Sequence, residues 1–215
     1  MPDRITFEWE GGTLSGAWHR AGQAATGVLL AHGAGGNMHT PGLVAYADAL
    51  AARGVDVVLF NFPYAEVKRR VPDPRSRLVS AYRAVAEHVR ANGAAVYLGG
   101  RSMGGRIASH LVAEGFPSPG LIFLSYPLHP PGQPHRLRTA HLTAITIPML
   151  FLQGSRDAFA RPELLRRTID SLRTATLHII DGADHGLTVT GRSSDDVVAE
   201  LVEATARWMH EHQGK

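Results

Sequence analysis

Cysteine is absent from the 215-residue sequence, which excludes disulfide bridges, thiolate metal sites and a cysteine nucleophile. This absence fits a reducing compartment, and we expect the protein in the cytoplasm. Lysine is nearly absent as well, since only Lys68 and Lys215 occur, and no basic run is long enough for a nucleic-acid-binding arm. No stretch approaches the roughly 20 apolar residues of a membrane span, and residues 1–12 do not resemble a signal peptide.

The composition otherwise matches an ordinary globular protein, with 44% hydrophobic and 19% charged residues. The 22 Lys+Arg against 19 Asp+Glu give a formal net charge of +3, which we interpret as a solvated, arginine-rich surface. The length predicts one domain over residues 1–215 with one sizeable core. We expect a monomer or a homodimer, with neither nucleic acid nor a membrane as a partner.

Six short apolar runs alternate with stretches that have helical spacing. The runs are continuously apolar, which is typical of strands covered on both faces of a sheet. They are GVLLAHG (27–33), VDVVLFNF (55–62), AVYLGG (95–100), LIFLSY (121–126), PMLFLQG (148–154) and ATLHIID (175–181). One-sided apolar spacing predicts helices over residues 42–52, 74–91, 104–114, 161–172 and 194–210.

Residues 1–20 differ from this alternation. ITFEW and LSGAW flank Glu10-Gly11-Gly12, a pattern that predicts an antiparallel β-hairpin. Strands that alternate with helices pair in parallel through right-handed crossovers, so the rest of the chain predicts a three-layer α/β domain. The predicted plan is therefore a hairpin followed by six parallel strands.

The third parallel strand of this plan ends in the pattern G-x-S-x-G. Gly100, Ser102 and Gly104 lie directly after the strand and directly before a helix, the context in which this pattern marks a nucleophile. In so tight a turn only glycine fits two residues to either side, and Ser102 projects outward at the positive end of the next helix. A glycine-rich turn with an exposed serine accounts less well for this context.

A serine at neutral pH needs a base, and the base needs a carboxylate that orients it. His185 follows the last strand and precedes the last helix, so we predict that it is the base. Asp157 lies just beyond the end of the preceding strand and gives the order Ser, Asp, His along the chain. Asp181 and Asp184 are rivals by proximity, but a neighbour in sequence is usually badly aimed at the imidazole.

Acyl transfer also needs N–H donors for the oxyanion of its transition state. We expect the first donor to be the backbone N–H of Met103, at the start of the helix after the serine. The loop HGAGG (32–36) follows the first parallel strand, and we expect the second donor from Ala34, with Gly35 as the alternative. His32 is expected to brace this loop through hydrogen bonds.

The segments HGAGG, GGRSMGG, QGSRD and GADHG resemble, in order and spacing, those of a small α/β-hydrolase without a cap. NFPY, RRVPD, SYPLHPPGQP and RTAHL are similar to a subgroup of dienelactone-hydrolase-type proteins and relatives of a subunit of the non-specific lethal chromatin complex. The resemblance implies a mostly parallel sheet of about eight strands, the second one reversed. It also implies ester or related acyl hydrolysis by a Ser-Asp-His triad without a cofactor. Ser102 stands where dienelactone hydrolases proper have cysteine, which argues against a dienelactone substrate.

Three segments are expected at the rim of the site because they follow strands that carry its chemistry. Their candidate substrate-binding residues are Arg69, Arg70, Tyr126, His129 and Phe159. We expect Arg69, Arg70 or His129 to meet an anionic or polar part of the substrate. The alternative is that both arginines are solvated or pair with Asp73 and Glu66. Only about two dozen residues separate LIFLSY from PMLFLQG, which predicts an open site without a large lid.

The sequence therefore predicts a serine hydrolase that cleaves a small carboxylic ester or thioester through Ser102, Asp157 and His185. We expect no cofactor, and no metal, because the histidines of the proline-rich segment lack the tight spacing of a ligand set. Two alternatives remain open. One is a hydrolase-like binding or scaffold protein with little activity, and the other is an acyltransferase.

Overall fold

The computed structural model describes residues 1–22, 26–91 and 95–212. Eight strands form one sheet in the order β1-β2-β4-β3-β5-β6-β7-β8. The strands are β1 (Asp3–Trp9), β2 (Gly12–His19), β3 (Thr26–Ala31), β4 (Asp56–Phe60), β5 (Ala95–Arg101), β6 (Leu121–Leu124), β7 (Met149–Gly154) and β8 (Ala175–Ile180). The helices are α1 (Pro41–Ala51), α2 (Pro63–Glu66), α3 (Arg75–Ala91), α4 (Met103–Ala113), α5 (Pro162–Asp170) and α6 (Ser194–His212). Within those three ranges, none of the helices is both long and apolar enough to cross a membrane.

The predicted hairpin is formed by β1 and β2, in register from Asp3 opposite Trp18 to Trp9 opposite Gly12. β2 also runs antiparallel to β4, whereas the remaining neighbours in the sheet are parallel. This topology confirms a hairpin followed by six parallel strands, with the second strand reversed. Because parallel strands end at the same edge, the carboxyl ends of β3 to β8 lie together.

Helices cover both faces of the sheet, which explains why its strands are continuously apolar. On one face α3 and α4 pack against the strands and bury Tyr82 and Ile107. On the other face α1 and α6 bury Trp208 and are joined by a hydrogen bond of 2.7 Å between Tyr46 Oη and Thr205 Oγ1. The five predicted helices are confirmed to within two residues at each end. The short helix α2 was not predicted, because its 4 residues are too few to show a helical period.

The segment between β6 and β7 contains one short 3-10 helix, Ala140–Ala144, and no inserted lid. His141 Nε2 lies 2.8 Å from Ser109 Oγ on α4, which ties the segment to that helix. The Tyr126 hydroxyl donates to the carbonyl oxygen of Arg138 at 2.9 Å and closes the segment on itself. No lid therefore covers the carboxyl ends of the strands in this segment, as the short stretch between LIFLSY and PMLFLQG predicts.

Candidate active site

Ser102 lies in the tight turn between β5 and α4, with φ of 52° and ψ of −114°. A positive φ is strained for a residue that has a side chain, and such strain is concentrated at functional sites. Gly100 and Gly104 relieve the crowding around this turn. A Cβ atom at Gly100 would lie 2.4 Å from the carbonyl oxygen of Ala31, and a Cβ atom at Gly104 would lie 2.2 Å from the same oxygen. Glycine is therefore needed on both sides of Ser102.

Ser102, His185 and Asp157 form a chain of hydrogen bonds. The hydroxyl oxygen of Ser102 lies 2.8 Å from Nε2 of His185. On the other side of the ring, Nδ1 lies 2.7 Å from Oδ2 of Asp157. With its proton on Nδ1, the imidazole donates to the carboxylate and leaves Nε2 to accept the serine proton. The structure thus brings together three side chains that are far apart in the sequence.

The side-chain carboxylate of Asp157 is fully buried and accepts three hydrogen bonds. Oδ1 accepts the backbone N–H of Phe159 at 2.7 Å. Oδ2 accepts the side-chain amide of Gln153 in addition to the Nδ1–H of His185. A buried charge is tolerated only with such partners, and together they fix the direction in which the carboxylate points.

Close approach of the loops after β7 and β8 places Asp157 beside His185. A Cβ atom on Gly154 would lie 2.3 Å from the carbonyl oxygen of Ala183. The backbone N–H of Arg156 donates to that same oxygen at 2.9 Å. The two loops therefore form one unit, which sets the distance between the carboxylate and the imidazole.

The two rival carboxylates, Asp181 and Asp184, are hydrogen-bonded to other groups. Asp181 accepts the hydroxyl of Ser155, on the loop after β7, at 3.0 Å. Asp184 accepts the backbone N–H groups of Gly186 at 2.7 Å and of Thr188 at 3.0 Å. These bonds turn Asp184 towards the backbone that follows it, so the contact with the imidazole is made by Asp157.

The loop after β3 runs beside the serine. A Cβ atom on Gly33 would lie 3.6 Å from the Cβ of Ser102. Ala34 lines the same cavity as Ser102 and Met103. Met103 is the first residue of α4, so the helix offers no carbonyl partner to its N–H. Gly35, the alternative donor, has a φ of 74° and forms the bend of the loop.

His32 is fully buried at the start of this loop. Its Nδ1–H donates to the carbonyl oxygen of Gly33 at 2.9 Å, and its Nε2 accepts the N–H of Phe62 at 3.1 Å. Burial lowers the pKa of His32 from 6.5 to about 4, because the charged ring would lose its hydration. The neutral imidazole therefore ties the loop after β3 to the chain after β4.

A cavity of about 290 Å³ opens onto Ser102. Phe159 lines it and stacks on His185, with ring centroids 4.1 Å apart and 26° between the ring planes. Part of the wall is apolar, and part is charged. The other lining residues are Ala34, Pro72, Asp73, Arg75, Leu78, Met103, Arg106, Ile107, Pro127, Pro131 and Arg138.

Tyr126 and His129, two of the candidate substrate-binding residues, are buried in the fold and do not line this cavity. The hydroxyl of Tyr126 donates to a backbone carbonyl, that of Arg138. The imidazole Nε2 of His129 accepts the backbone N–H of Arg161 at 3.2 Å. Their polar atoms are thus used inside the protein, whereas Phe159 reaches the cavity.

Arg69 and Arg70 do not line the cavity either. Arg69 donates to Oδ1 of Asp73 at 2.6 Å, which is the pairing named as the alternative. Arg70 is exposed. Glu66 has other partners, since it accepts the backbone N–H and the hydroxyl of Ser15 at 2.6 Å and 3.1 Å.

Three arginines that were not among the predicted substrate-binding residues line the cavity, namely Arg75, Arg106 and Arg138. Arg106 carried a usable signal. It lies four residues after Ser102, which puts the two on the same side of α4. Arg138 carried none, because it lies in irregular chain where spacing does not set the direction of a side chain.

His110 and His141 lie beside these arginines without forming a metal site. Their rings stack with centroids 3.7 Å apart. Burial, with Arg75 and Arg106 nearby, lowers the pKa of His110 to about 4, and burial together with His110 lowers that of His141 to about 3. In the ranges that the structure describes, no three His, Asp or Glu side chains gather as metal ligands. Both rings are neutral at neutral pH, so the positive charge here comes from arginine.

Three solved structures share this fold over nearly their whole length. A serine hydrolase homologue from Coxiella burnetii is 20% identical, with a TM-score of 0.79 over 96% of this chain and 97% of that one. A serine hydrolase without a lid from Xanthomonas campestris is 23% identical, with a TM-score of 0.73 over 96% and 94%. A dienelactone hydrolase from Anabaena variabilis is 18% identical, with a TM-score of 0.76 over 99% and 98%.

A family model points the same way at the level of sequence. The model, described as an alpha/beta hydrolase domain, matches residues 24–212. The match runs from before β3 to the end of α6 and includes the serine, the aspartate and the histidine of the hydrogen-bonded chain. The protein therefore belongs to the alpha/beta hydrolase family and has the dienelactone-hydrolase-like form of its fold, without a lid.

Proposed function

We propose that the protein is a serine hydrolase that cleaves a small carboxylic ester or thioester through an acyl-enzyme. The observation that carries this proposal is the hydrogen-bonded chain from Ser102 through His185 to the buried Asp157. A cavity of about 290 Å³ that opens onto the serine supports a small substrate. The proposed enzyme uses no cofactor, and its lack of cysteine supports a cytoplasmic location.

Ser102 is the proposed nucleophile and His185 the proposed base. The hydroxyl oxygen attacks the ester carbonyl while its proton passes to Nε2 of His185. Asp157 stabilises the imidazolium that forms. When the tetrahedral intermediate collapses, His185 returns the proton to the leaving alcohol or thiol. A water molecule then attacks the acyl-enzyme by the same route and releases the carboxylic acid.

The negative charge that develops on the carbonyl oxygen needs donors that are already in place. We assign this role to the backbone N–H groups of Met103 and Ala34, with Gly35 as the alternative to Ala34. The position of Met103 at the start of α4 and the run of the loop after β3 beside the serine support this assignment. The positive end of α4 adds to the stabilisation.

The proposal is tested with Ser102→Ala and His185→Ala on simple aryl esters and thioesters. Removal of either member of such a triad lowers kcat by at least about 1000-fold. Circular dichroism and thermal unfolding confirm that each variant is folded. Undiminished turnover by folded Ser102→Ala contradicts the mechanism. The ratio of products formed in the presence of added alcohol separates hydrolysis from acyl transfer. Because the site is open to solvent, we expect water to be the main acceptor of the acyl group.

A further inference from the structure

Three guanidinium groups from separate elements converge on the cavity of the proposed nucleophile. Arg75 is the first residue of α3, Arg106 lies in the first half of α4, and Arg138 lies in the segment between β6 and β7. All three line the cavity that Ser102 lines. Side chains from three elements make this a feature of the fold rather than of one basic stretch of sequence.

These arginines have no carboxylate partner. Across the described residues, no Asp or Glu oxygen lies within 4.0 Å of a guanidinium nitrogen of Arg75, Arg106 or Arg138. Asp73 also lines the cavity, but its Oδ1 lies 2.6 Å from Arg69 and 3.9 Å from Arg77. Its Oδ2 is buried and makes no hydrogen bond, so one carboxylate, paired through a single oxygen, faces three cations.

Among these three arginines, Arg106 has a buried side-chain nitrogen, Nε, without a hydrogen-bond partner. Burial lowers the pKa of Arg106, Tyr126 partly offsets this by raising it, and the positive charge of Arg75 lowers it. Burial and the charge of Arg106 likewise lower the pKa of Arg138. Like charges held close together in a partly dry cavity are unfavourable unless an anion joins them.

We propose that the site takes esters or thioesters that carry a carboxylate, or another small anionic group, close to the scissile carbonyl. The guanidinium groups of Arg75, Arg106 and Arg138 bind the anion, since planar guanidinium groups suit carboxylate and phosphate oxygens. The apolar side chains of Leu78 and Ile107 line the cavity for the hydrocarbon part of such a substrate. This inference rests on the proposed role of Ser102, and it names the substrate class of the same site.

The test uses pairs of esters that differ only in charge. The phenyl monoester of glutaric acid is compared with the ester in which a carboxamide replaces the free carboxylate. On the alcohol side, the acetate ester of para-hydroxybenzoate is compared with that of para-hydroxybenzamide. We expect kcat/KM to be higher for the anionic member of at least one pair. Equal rates within both pairs overturn the inference and leave the serine hydrolase mechanism standing.

Arg106→Gln identifies the group responsible for that preference. Hydrogen bonds to charged groups contribute enough that the ratio of kcat/KM, anionic over neutral, falls about 10- to 100-fold. Arg138→Gln gives the same test from another element. Arg166→Gln is the matched control, because Arg166 is exposed on α5 and lies outside the cavity. An equal fall in the control shows a general charge effect and contradicts a built anion site.

A binding measurement separates this inference from the proposed function. Ser102→Ala cannot form an acyl-enzyme, so calorimetry with the phenyl monoester of glutaric acid reports binding alone. We expect the Ser102→Ala protein to bind this anion more tightly than the carboxamide, and the added Arg106→Gln change to remove the difference. If wild type cleaves no ester while this binding difference holds, the proposed function fails and the anion site stands. If binding shows no difference between the two esters, the anion site fails.

Discussion

The side-chain amide of Gln153 donates a hydrogen bond to Oδ2 of Asp157, the same oxygen that accepts from His185. Gln153 is fully buried near the end of β7, so its amide has a fixed position. A carboxylate held by two donors on one oxygen and by a backbone N–H on the other cannot rotate freely. Gln153 thus positions the group that orients the imidazole.

Gln153→Leu is expected to lower kcat about 10-fold, because a hydrogen bond to the charged carboxylate is lost and its orientation loosens. KM for a small neutral ester should change little, since Gln153 does not line the cavity. Steady-state kinetics measures this split between kcat and KM. If kcat fell only because part of the variant protein is unfolded, the fall would instead scale with the fraction of folded protein, which thermal unfolding reports.

Gly104→Ala tests the steric account of the turn at Ser102. Its Cβ would lie 2.2 Å from the carbonyl oxygen of Ala31, a backbone atom that cannot move without β3. We expect the free energy of unfolding to fall by about 1–3 kcal/mol, the usual cost of overpacking, and ester hydrolysis to fall with it.

Gly42→Ala is the matched control for this substitution. Gly42 lies in α1, and a Cβ atom there meets nothing within 4 Å. Gly42 is an exposed residue in the first turn of α1, so alanine there should change the free energy of unfolding by no more than about 0.5 kcal/mol. Urea unfolding of both variants gives the comparison. Equal stability of Gly104→Ala and Gly42→Ala would contradict the account.

The buried imidazole of His32 makes stability depend on pH. Its pKa is lowered from 6.5 to about 4, so between these values the unfolded chain binds a proton that the folded protein does not. The contribution to stability is fully present above pH 6.5, falls as the pH falls, and is lost below about 4. The slope from one such group is about 1.4 kcal/mol per pH unit.

His32→Asn removes this titrating group, so the variant is expected to take up about one proton fewer on unfolding than wild type does. The free energy of unfolding, measured in urea at several values between pH 6.5 and 4, should fall less steeply in the variant than in wild type. The variant should also be less stable at neutral pH, because the N–H of Phe62 loses its acceptor. Identical slopes in the two proteins would show that His32 is not the group that titrates.

The sequence predicted the positions of the proposed triad because those positions follow from the fold. Continuous apolar runs indicate buried parallel strands, and parallel strands end at one edge, so the polar residues after them meet there. Ser102 lies between Gly100 and Gly104, which are required because β3, β5 and α4 approach closely there. Both glycines are visible in the sequence as part of the G-x-S-x-G pattern. The choice of Asp157 over Asp184 rested on the order Ser, Asp, His along the chain and on the poor aim expected of a near neighbour in sequence.

The substrate-binding residues were harder to predict, because they depend on irregular backbone. Tyr126 follows the end of β6, as a rim residue should, but Ser125 before it has a φ of 57° and the chain turns there. The ring of Tyr126 therefore packs against Phe123 and Phe151, with centroids 5.1 Å and 5.6 Å away. A serine with positive φ gives no signal in the sequence, unlike a glycine. Arg138 reaches the cavity through the same segment, and nothing in its spacing indicates this.

The most direct test of the account is the intact mass of the protein after exposure to a fluorophosphonate probe, with wild type beside Ser102→Ala. Such probes react with a serine whose hydroxyl is activated by a base. The hydrogen bond of 2.8 Å between Ser102 and His185 predicts one adduct on wild type and none on Ser102→Ala. An adduct that persists in Ser102→Ala, or no adduct on folded wild type, would contradict the assignment of Ser102 as an activated nucleophile.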